Sequence, residues 1–329
     1  MPLSTEQSRC QYCRALVVFR RTQGKRIAPW LKFVPSPAKL KRMGRFASTV
    51  EFYARYREPY PPKFFQKVAE QIGLRGNETL LDVGCGPGML AIGFAPLVGS
   101  CIGLDPEPLM IAAARSAAAE AGVALSLIEG RIEEFPTTQT YDVITIGRAH
   151  HWLERTPTLK VLERILAPGS GRILLCRSSG VETPETPWVK PYRKVRSAWA
   201  SGRPEEKQYR VVPSEWVVDS CFSEMGETSV NERRQVTIAD LIGRALSRSN
   251  TSPEVVAGGQ EKFEAQIAAV LEPFVQDGVL VEHIMARASI FGRHASASTA
   301  PTVEPAYCIV NHSRFVQRAI SARVGSVRT

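Results

Sequence analysis

The stretch LLDVGCGPGML, residues 80–90, constrains the fold of this 329-residue chain more than any other feature. A run of apolar residues ends at Asp82, and Gly84, Gly86 and Gly88 follow before an apolar helical pattern begins. Glycine lets a backbone approach a ligand closely, and the N-terminus of a helix favours polar or anionic ligands. The stretch therefore predicts a buried strand, then a ligand-binding loop, then a helix.

Short apolar runs alternate with helical patterns from residue 46 to residue 180. The runs are ETLLDVG, SCIGLDP, ALSLIEG, YDVITIG and GRILLCR. Parallel neighbouring strands need crossover helices, so this alternation predicts an α/β fold with a doubly wound, mostly parallel sheet. TSVNERRQVT and VEHIMARASIFG are two further strand-like segments nearer the C-terminus.

Residues 181–218 interrupt the alternation with prolines, aromatic residues and bases. Ligands of open α/β sheets bind at the carboxyl ends of the strands, and this segment follows such an end. It is therefore predicted to be a lid insertion whose aromatic and basic side chains suit an apolar acid. These side chains are Trp188, Lys190, Tyr192, Arg193, Lys194, Arg196, Trp199, Arg203 and Trp216.

The loop does not match two common nucleotide-binding patterns. In a G-x-G-x-x-G fingerprint the third glycine would fall on Met89 or on Ala91, and no Gly-Lys-Ser/Thr of a Walker loop follows. A carboxylate at Asp82 suits an ammonium group rather than a pyrophosphate. Asp105 ends the next strand, where an acid binds ribose hydroxyls. An ammonium group and a ribose together describe S-adenosylmethionine.

Residues 46–180 resemble the class I S-adenosylmethionine-dependent methyltransferases of the small-molecule type. LLDVGCGPG is similar to their first motif, GLDPEPLM to their second and EGRIEEFP to their adenine loop. The resemblance implies a Rossmann-like methyltransferase fold and S-adenosylmethionine as cofactor. It implies cofactor contacts from Asp82, Gly84, Cys85, Gly86, Gly88, Asp105, Pro106, Gly130, Arg131 and Ile132. Arg131 stands where the family commonly has an acid, so only backbone contacts are expected there.

The segment FYARYREPYPP is similar to the entry segment of methyltransferases of type 11, which resemble trans-aconitate methyltransferase. Glu58 replaces a proline that is usual in that segment. The resemblance implies that Tyr53 and Arg57 bind the methionine carboxylate of the cofactor or a substrate acid, and that Tyr60 contacts the substrate. An arginine is well suited to binding a carboxylate.

The stretch GRAHHWL after the fourth strand extends the same resemblance. It implies that Trp152 contacts substrate or cofactor, and that His151 or His150 accepts a proton from a hydroxyl or carboxylic acceptor. The proton acceptor stays open between the two histidines, and a packing role for either is the alternative.

The net charge of +10 comes from the N-terminal end of the chain. Residues 1–45 hold eleven of the 42 Lys and Arg and one of the 32 Asp and Glu, so the remaining 31 bases and 31 acids balance. We expect residues 1–43 to be a basic, disordered tail, residues 44–294 the methyltransferase domain and residues 295–329 a loose C-terminal tail. The tail predicts at most non-specific nucleic-acid binding.

These observations favour methyl transfer to a small-molecule acceptor, either a carboxylate or a hydroxyl. The alternatives are a methyltransferase acting on RNA or protein, and a non-catalytic cofactor-binding protein. Seven scattered cysteines and no apolar run of membrane-spanning length predict a reduced, cytoplasmic protein. The lone pair Cys10 and Cys13 lacks a second pair of ligands, so no metal is predicted. The sequence leaves the oligomeric state open.

Overall fold

The computed structural model of the protein describes residues 49–136, 138–200 and 212–294. The two predicted tails, 1–43 and 295–329, lie outside the described residues, as does part of the predicted lid insertion, 201–211.

Seven strands form one sheet in the order β3-β2-β1-β4-β5-β7-β6. Strands β1 to β5 are parallel, and β7 runs antiparallel between β5 and β6. The strands are β1 (Thr79–Val83), β2 (Ser100–Asp105), β3 (Ser126–Glu129), β4 (Val143–Gly147), β5 (Arg172–Val181), β6 (Phe222–Val236) and β7 (Leu280–Arg293). The prediction of a doubly wound, mostly parallel α/β sheet is confirmed.

Helices cover both faces of the sheet. They are α1 (Val50–Tyr56), α2 (Pro62–Ile72), α3 (Met89–Phe94), α4 (Pro108–Ala121), α5 (Arg155–Ile165), α6 (Val189–Trp199), α7 (Pro213–Trp216), α8 (Ile238–Leu246), α9 (Pro253–Val256) and α10 (Gln260–Leu271). Ile173 and Leu175 of β5 pack into one core with α5, whereas Leu174 and Cys176 pack into the opposite core with α2 and α3. Because successive side chains of a strand face opposite ways, burial on both faces produces a continuous apolar run such as ILLC.

Helices α6, α8, α9 and α10 form a separate layer, here called the cap, beside the carboxyl ends of β5 and β6. The cap has its own buried core, which includes Trp188, Leu241, Phe263 and Ile267. Its α8 begins with a capping box, in which Thr237 and Asp240 exchange hydrogen bonds. The cap therefore consists of two chain segments, the one after β5 and the one between β6 and β7. The sequence predicted helices in the second segment too, but it assigned only the first to a lid.

The aromatic residues of the predicted insertion are used for packing rather than for a free surface. Trp188 donates its indole N–H to the Val281 carbonyl at 2.8 Å, and Tyr192 donates its hydroxyl to the Leu241 carbonyl at 2.8 Å. Both side chains are buried in the cap core, and Trp199 stacks on Phe263. An aromatic cluster in the sequence was expected to contact substrate, but tertiary packing buries it.

Candidate active site

The loop after β1 brings backbone amides toward the end of β2. Gly84 and Gly86 have φ angles of 64° and 54°, a left-handed conformation that favours glycine. The Gly84 N–H donates to the Leu104 carbonyl at 2.8 Å, and a Cβ at this position would lie 2.6 Å from Ala149 Cβ. A Cβ at Gly86 would meet nothing closer than Met110 Sδ at 3.9 Å. The first glycine is therefore required by packing, and the second keeps space open beside the loop.

Asp82 is buried at the end of β1 and is held by two donors. Its Oδ1 accepts the Thr145 hydroxyl at 2.7 Å, and its Oδ2 accepts the Ala91 N–H at 3.2 Å. Burial raises the pKa of Asp82 to about 7, although both hydrogen bonds act in the opposite direction. The carboxylate therefore joins β1, β4 and α3, and its charge is poised to change near neutral pH.

Asp105 ends β2 and binds the glycine loop from the other side. Its Oδ2 accepts the Gly86 N–H at 2.8 Å, and its Oδ1 accepts the Glu107 N–H at 2.9 Å. Burial raises the pKa of Asp105, and the two backbone donors lower it. Each oxygen has a further lone pair for a ligand hydroxyl. Pro106, the next residue, is exposed.

The predicted adenine loop follows β3 at the same edge of the sheet. The Gly130 N–H donates to the Asp105 carbonyl at 3.1 Å, so this loop is fixed to the end of β2. The Arg131 side chain pairs with Glu133 and Glu154, at 3.6 and 3.3 Å. The side chain of Ile132 is buried in the core. Of these residues, none has a side chain suited to bonding the adenine amine.

A pocket lies between the glycine loop, the end of β4 and the α1–α2 segment. It is lined by Tyr53, Tyr60, Asp82, Gly84, Cys85, Gly86, Pro87, Met89, Leu90, Gly147 and Arg148. The Cys85 thiol lies 3.6 Å from the Gly86 carbonyl, and burial raises its pKa well above the usual range, so it stays protonated. Gly88, which begins α3 with φ of 83°, does not line this pocket.

Arg148 was not singled out by the sequence analysis. It adopts a left-handed φ of 58°, and its guanidinium lies 4.9 Å above the centre of the Tyr60 ring and donates to the Glu58 carbonyl. Burial would raise the pKa of Tyr53, but the charges of Arg148 and Arg57 outweigh this and lower it. Residue 148 follows Gly147 directly in GRAHHWL, so only its position at a strand end could have indicated it.

Tyr60 supplies a buried hydroxyl to this pocket. Its side chain is 5% exposed, and its hydroxyl has no hydrogen-bond partner within the described ranges. Burial raises the pKa of Tyr60 well above its ordinary value, so the group remains a neutral phenol. A buried polar atom without a partner is rare, and a ligand in the pocket would supply one.

The comparisons with known proteins agree with this site. Residues 80–169 match the family model of a methyltransferase domain. The chain therefore contains a class I S-adenosylmethionine-dependent methyltransferase domain. The chain is 31% identical over 133 residues to an uncharacterized methyltransferase of Schizosaccharomyces pombe, covering 37% of this chain and 48% of that protein.

Two further relatives complete the comparison. The chain is 33% identical over 107 residues to a ubiquinone biosynthesis O-methyltransferase of Klebsiella pneumoniae, covering 31% of this chain and 43% of that protein. Each match spans less than half of the curated relative. The solved structure of a candidate type II methyltransferase from Anaeromyxobacter dehalogenans superposes with a TM-score of 0.56 at 18% identity. It covers 72% of this chain and 98% of that one, and shows the shared fold.

The residues of the methyltransferase domain fit S-adenosylmethionine. The space beside Gly86 lets a ligand approach the backbone of the glycine loop. Polar groups lie on either side of it: the Tyr60 hydroxyl, which has no hydrogen-bond partner among the described residues, and the carboxylates of Asp82 and Asp105. Bound there, the cofactor supplies an electrophilic methyl group on a sulfonium.

His150, His151 and Trp152 form one turn of 3₁₀ helix after β4, at the carboxyl edge of the methyltransferase domain. Burial lowers the pKa of His150, and Arg177 lowers it further. Burial, His150 and Arg57 together lower the pKa of His151 to about 3. Both imidazoles are therefore neutral at pH 7. Trp152 stacks on His151 with ring centres 4.8 Å apart.

Arg57 does not line the pocket, but it lies directly behind it. Its guanidinium is 5.0 Å from the centre of the Tyr53 ring, and it donates to the Ser247 hydroxyl at 3.4 Å. Arg57 therefore connects the pocket wall to the cap. Within the described part of the chain, no helix has the length and apolar character of a membrane span.

Proposed function

We propose that this protein transfers the methyl group of S-adenosylmethionine to a small-molecule acceptor, an acid or a hydroxyl. The observation that carries this proposal is the attachment of the cap to the segment that walls the pocket. Arg244 of α8 donates to the Tyr56 carbonyl at 3.1 Å, and Arg248 pairs with Glu58 at 3.0 Å. An enclosed site at the carboxyl edge suits a small acceptor and excludes water.

The proposed roles of the residues follow from their positions. Asp82 and the glycine loop receive the amino-acid end of the cofactor, Asp105 receives its ribose, and the backbone of Gly130–Ile132 lies beside the adenine. Tyr53, Tyr60 and Arg148 enclose the reacting end. Such a transfer needs an aligned nucleophile and a dry site more than it needs a strong acid or base.

A carboxylate acceptor is the version that we favour over a hydroxyl. A general base works best when its pKa is near the working pH, whereas the pKa of His151 is about 3. A carboxylate is already ionised and needs no base. The similarity to the O-methyltransferase of Klebsiella pneumoniae supports an oxygen atom as the methyl acceptor. The buried free thiols of Cys85, Cys101 and Cys176 support a reducing, cytoplasmic location.

Binding of S-adenosylhomocysteine by calorimetry tests the cofactor site. Asp105→Ala should weaken binding by about 1.5–3 kcal/mol, because a ribose hydrogen bond to a charged group is lost. Glu120→Ala is the control, since Glu120 is an exposed acid in the last turn of α4 and does not line the pocket. Equal effects of both substitutions would contradict the assignment.

Labelled S-adenosylmethionine then tests the acceptor class. The full chain is incubated in parallel with metabolite acids, metabolite alcohols, total RNA and denatured protein. We expect label in the acids. Transfer to RNA or protein alone supports the second candidate, a macromolecular methyltransferase, and cofactor binding without any transfer supports a non-catalytic role.

A further inference from the structure

Positive charge accumulates where the cap meets the wall of the pocket. Arg57 and Arg248 both face the carboxylate of Glu58, at 3.7 and 3.0 Å, and the Arg148 guanidinium donates to the Glu58 carbonyl. The side chains of Arg57 and Glu58 are 12% and 5% exposed, and that of Arg248 is 23% exposed. Two guanidinium groups therefore face one carboxylate, and a third binds the backbone carbonyl of the same residue, in a mostly buried place.

Glu282, the acid that pairs with Arg244 in the cap, does not remove this imbalance. Glu282 of β7 is bound by Arg244 and by Arg234, so it already has two cationic partners. Arg244 also faces Glu58, and its charge contributes to lowering the Glu58 pKa well below the usual range, against the effect of burial. Within the described residues, these two clusters together leave an excess of buried positive charge.

The cofactor does not neutralise this excess. Its amino-acid end carries one ammonium and one carboxylate, and its sulfonium adds a further positive charge. Burial and the charge of the neighbouring Arg248 together lower the pKa of Arg57 to about 10. Buried charges are costly unless they are paired. Among the described residues, the buried Nε of Arg57 has no hydrogen-bond partner, and an anionic oxygen group other than the cofactor would supply one.

We propose that Arg57 and Arg248, on either side of Glu58, form a subsite that binds an anionic oxygen group of the acceptor. This inference rests on the proposed function. The subsite adjoins the pocket through the Tyr53 ring, which stacks on Arg57. It adjoins the histidine turn as well, since the charge of Arg57 acts on His151.

Asn250 is a further group suited to this subsite. It follows Arg248 in a turn closed by the Thr251 N–H, which donates to the Arg248 carbonyl at 3.1 Å. Asn250 is 9% exposed, and neither its side-chain nitrogen nor its side-chain oxygen has a hydrogen-bond partner in the described part of the chain. The amide of Asn250, two residues after Arg248 in the chain, offers an N–H donor of the kind that completes an anion site.

Calorimetry on the full chain saturated with S-adenosylhomocysteine tests the subsite. The probes are benzoate, its neutral counterpart benzamide, and inorganic phosphate. Benzoate should bind at least about tenfold more tightly than benzamide, and Arg248→Gln should remove about that factor. Arg248→Lys should retain part of it. The affinity for S-adenosylhomocysteine should stay within about twofold in both variants, because the charge lost lies outside the cofactor pocket.

Glu58→Gln separates a binding role from a merely structural one. If Glu58 competes with the acceptor anion for the two arginines, its neutralisation should tighten benzoate binding by about fivefold. A structural ion pair predicts lower stability without such a gain. Arg287→Gln, in the half-exposed Arg287–Glu227 pair, is the control and should leave benzoate binding unchanged.

Phosphate binding tighter than benzoate binding would assign the subsite to a phosphorylated acceptor and support it. Equal binding of benzoate and benzamide, no binding of either anion, or weaker benzoate binding in Glu58→Gln would overturn the inference. Failure of the unaltered chain to bind S-adenosylhomocysteine would instead reject the proposed function itself.

Discussion

Asp82 and Asp105 end neighbouring parallel strands, yet their surroundings differ. Asp82 is bound by the hydroxyl of Thr145 on β4 and by the N–H of Ala91 on α3, so it holds three elements together. Among the described residues, the hydrogen-bond donors to the Asp105 carboxylate are two backbone N–H groups, those of Gly86 and Glu107. The sequence indicates both acids from their places at strand ends. Thr145 carries no such signal, because it is 63 positions from Asp82 in the chain.

The raised pKa of Asp82 predicts proton release on cofactor binding. Its pKa rises from 3.8 to about 7, so between these values the folded protein holds a proton that the unfolded chain has lost. This contribution to stability is present at low pH and declines as the pH rises toward 7. An ammonium group beside Asp82 requires the ionised form, so affinity for S-adenosylhomocysteine should increase from pH 5.5 to 7.5.

Calorimetry in two buffers of different ionisation enthalpy measures that proton directly. Asp82→Asn should abolish the release, since the amide does not titrate. A pH-independent affinity in the unaltered protein would show that Asp82 does not face the ammonium.

His151→Ala distinguishes the two kinds of acceptor. For a hydroxyl acceptor, loss of a general base should lower kcat by roughly 10²–10⁴-fold with little change in cofactor affinity. For a carboxylate acceptor, no proton is taken and the effect should fall mainly on the acceptor KM. Steady-state kinetics with the acceptor found in the labelling experiment separates these results, and His150→Ala tests the other imidazole in the same way.

At the scale of elements, the length of β5, β6 and β7 decides where the cap lies. These strands have 10, 15 and 14 residues, whereas β1 to β4 have four to six. Their extra length carries the chain past the carboxyl edge, where the cap helices begin and end. Arg244 of α8 then binds Glu282 of β7 with both side chains buried. The cap is therefore attached to the sheet by a buried ion pair as well as by apolar packing.

Glu282→Gln should lower the free energy of unfolding by about 3–5 kcal/mol, because two guanidinium groups lose their buried counter-charge. Glu227→Gln removes the acid of the more exposed pair with Arg287 and should cost less than about 1 kcal/mol. Denaturant titration followed by circular dichroism measures both variants. A small effect of Glu282→Gln would mean that apolar contacts alone attach the cap.

At the scale of the whole molecule, the charge is divided very unevenly along the chain. Residues 1–45 carry the entire net charge of +10, and the rest of the sequence is balanced. The residues that the structure describes begin at position 49, beyond this basic segment. The positive charge within the domain is different in kind, because it is concentrated in partly buried arginines beside the pocket.

Removal of residues 1–42 should leave the fold and the cofactor site intact. A chain beginning at Met43 is expected to bind S-adenosylhomocysteine within about twofold of the full chain, since terminal segments outside a core contribute little to it. Its retention on heparin should fall, because the basic segment is gone. An insoluble or non-binding product would make residues 1–42 part of the domain.

The sequence alone determined the sheet, the glycine loop and the two acids, because these depend on local pattern. Apolar runs, left-handed glycines and strand-end carboxylates are all read within a dozen residues. Tertiary structure decided the rest, because it depends on contacts between distant segments. Folding brings Arg248 to Glu58 across 190 positions, buries Trp188 and Tyr192 in the cap instead of the site, and sets the pKa values of Asp82 and His151 through burial. No local pattern encodes those distances or that loss of solvent.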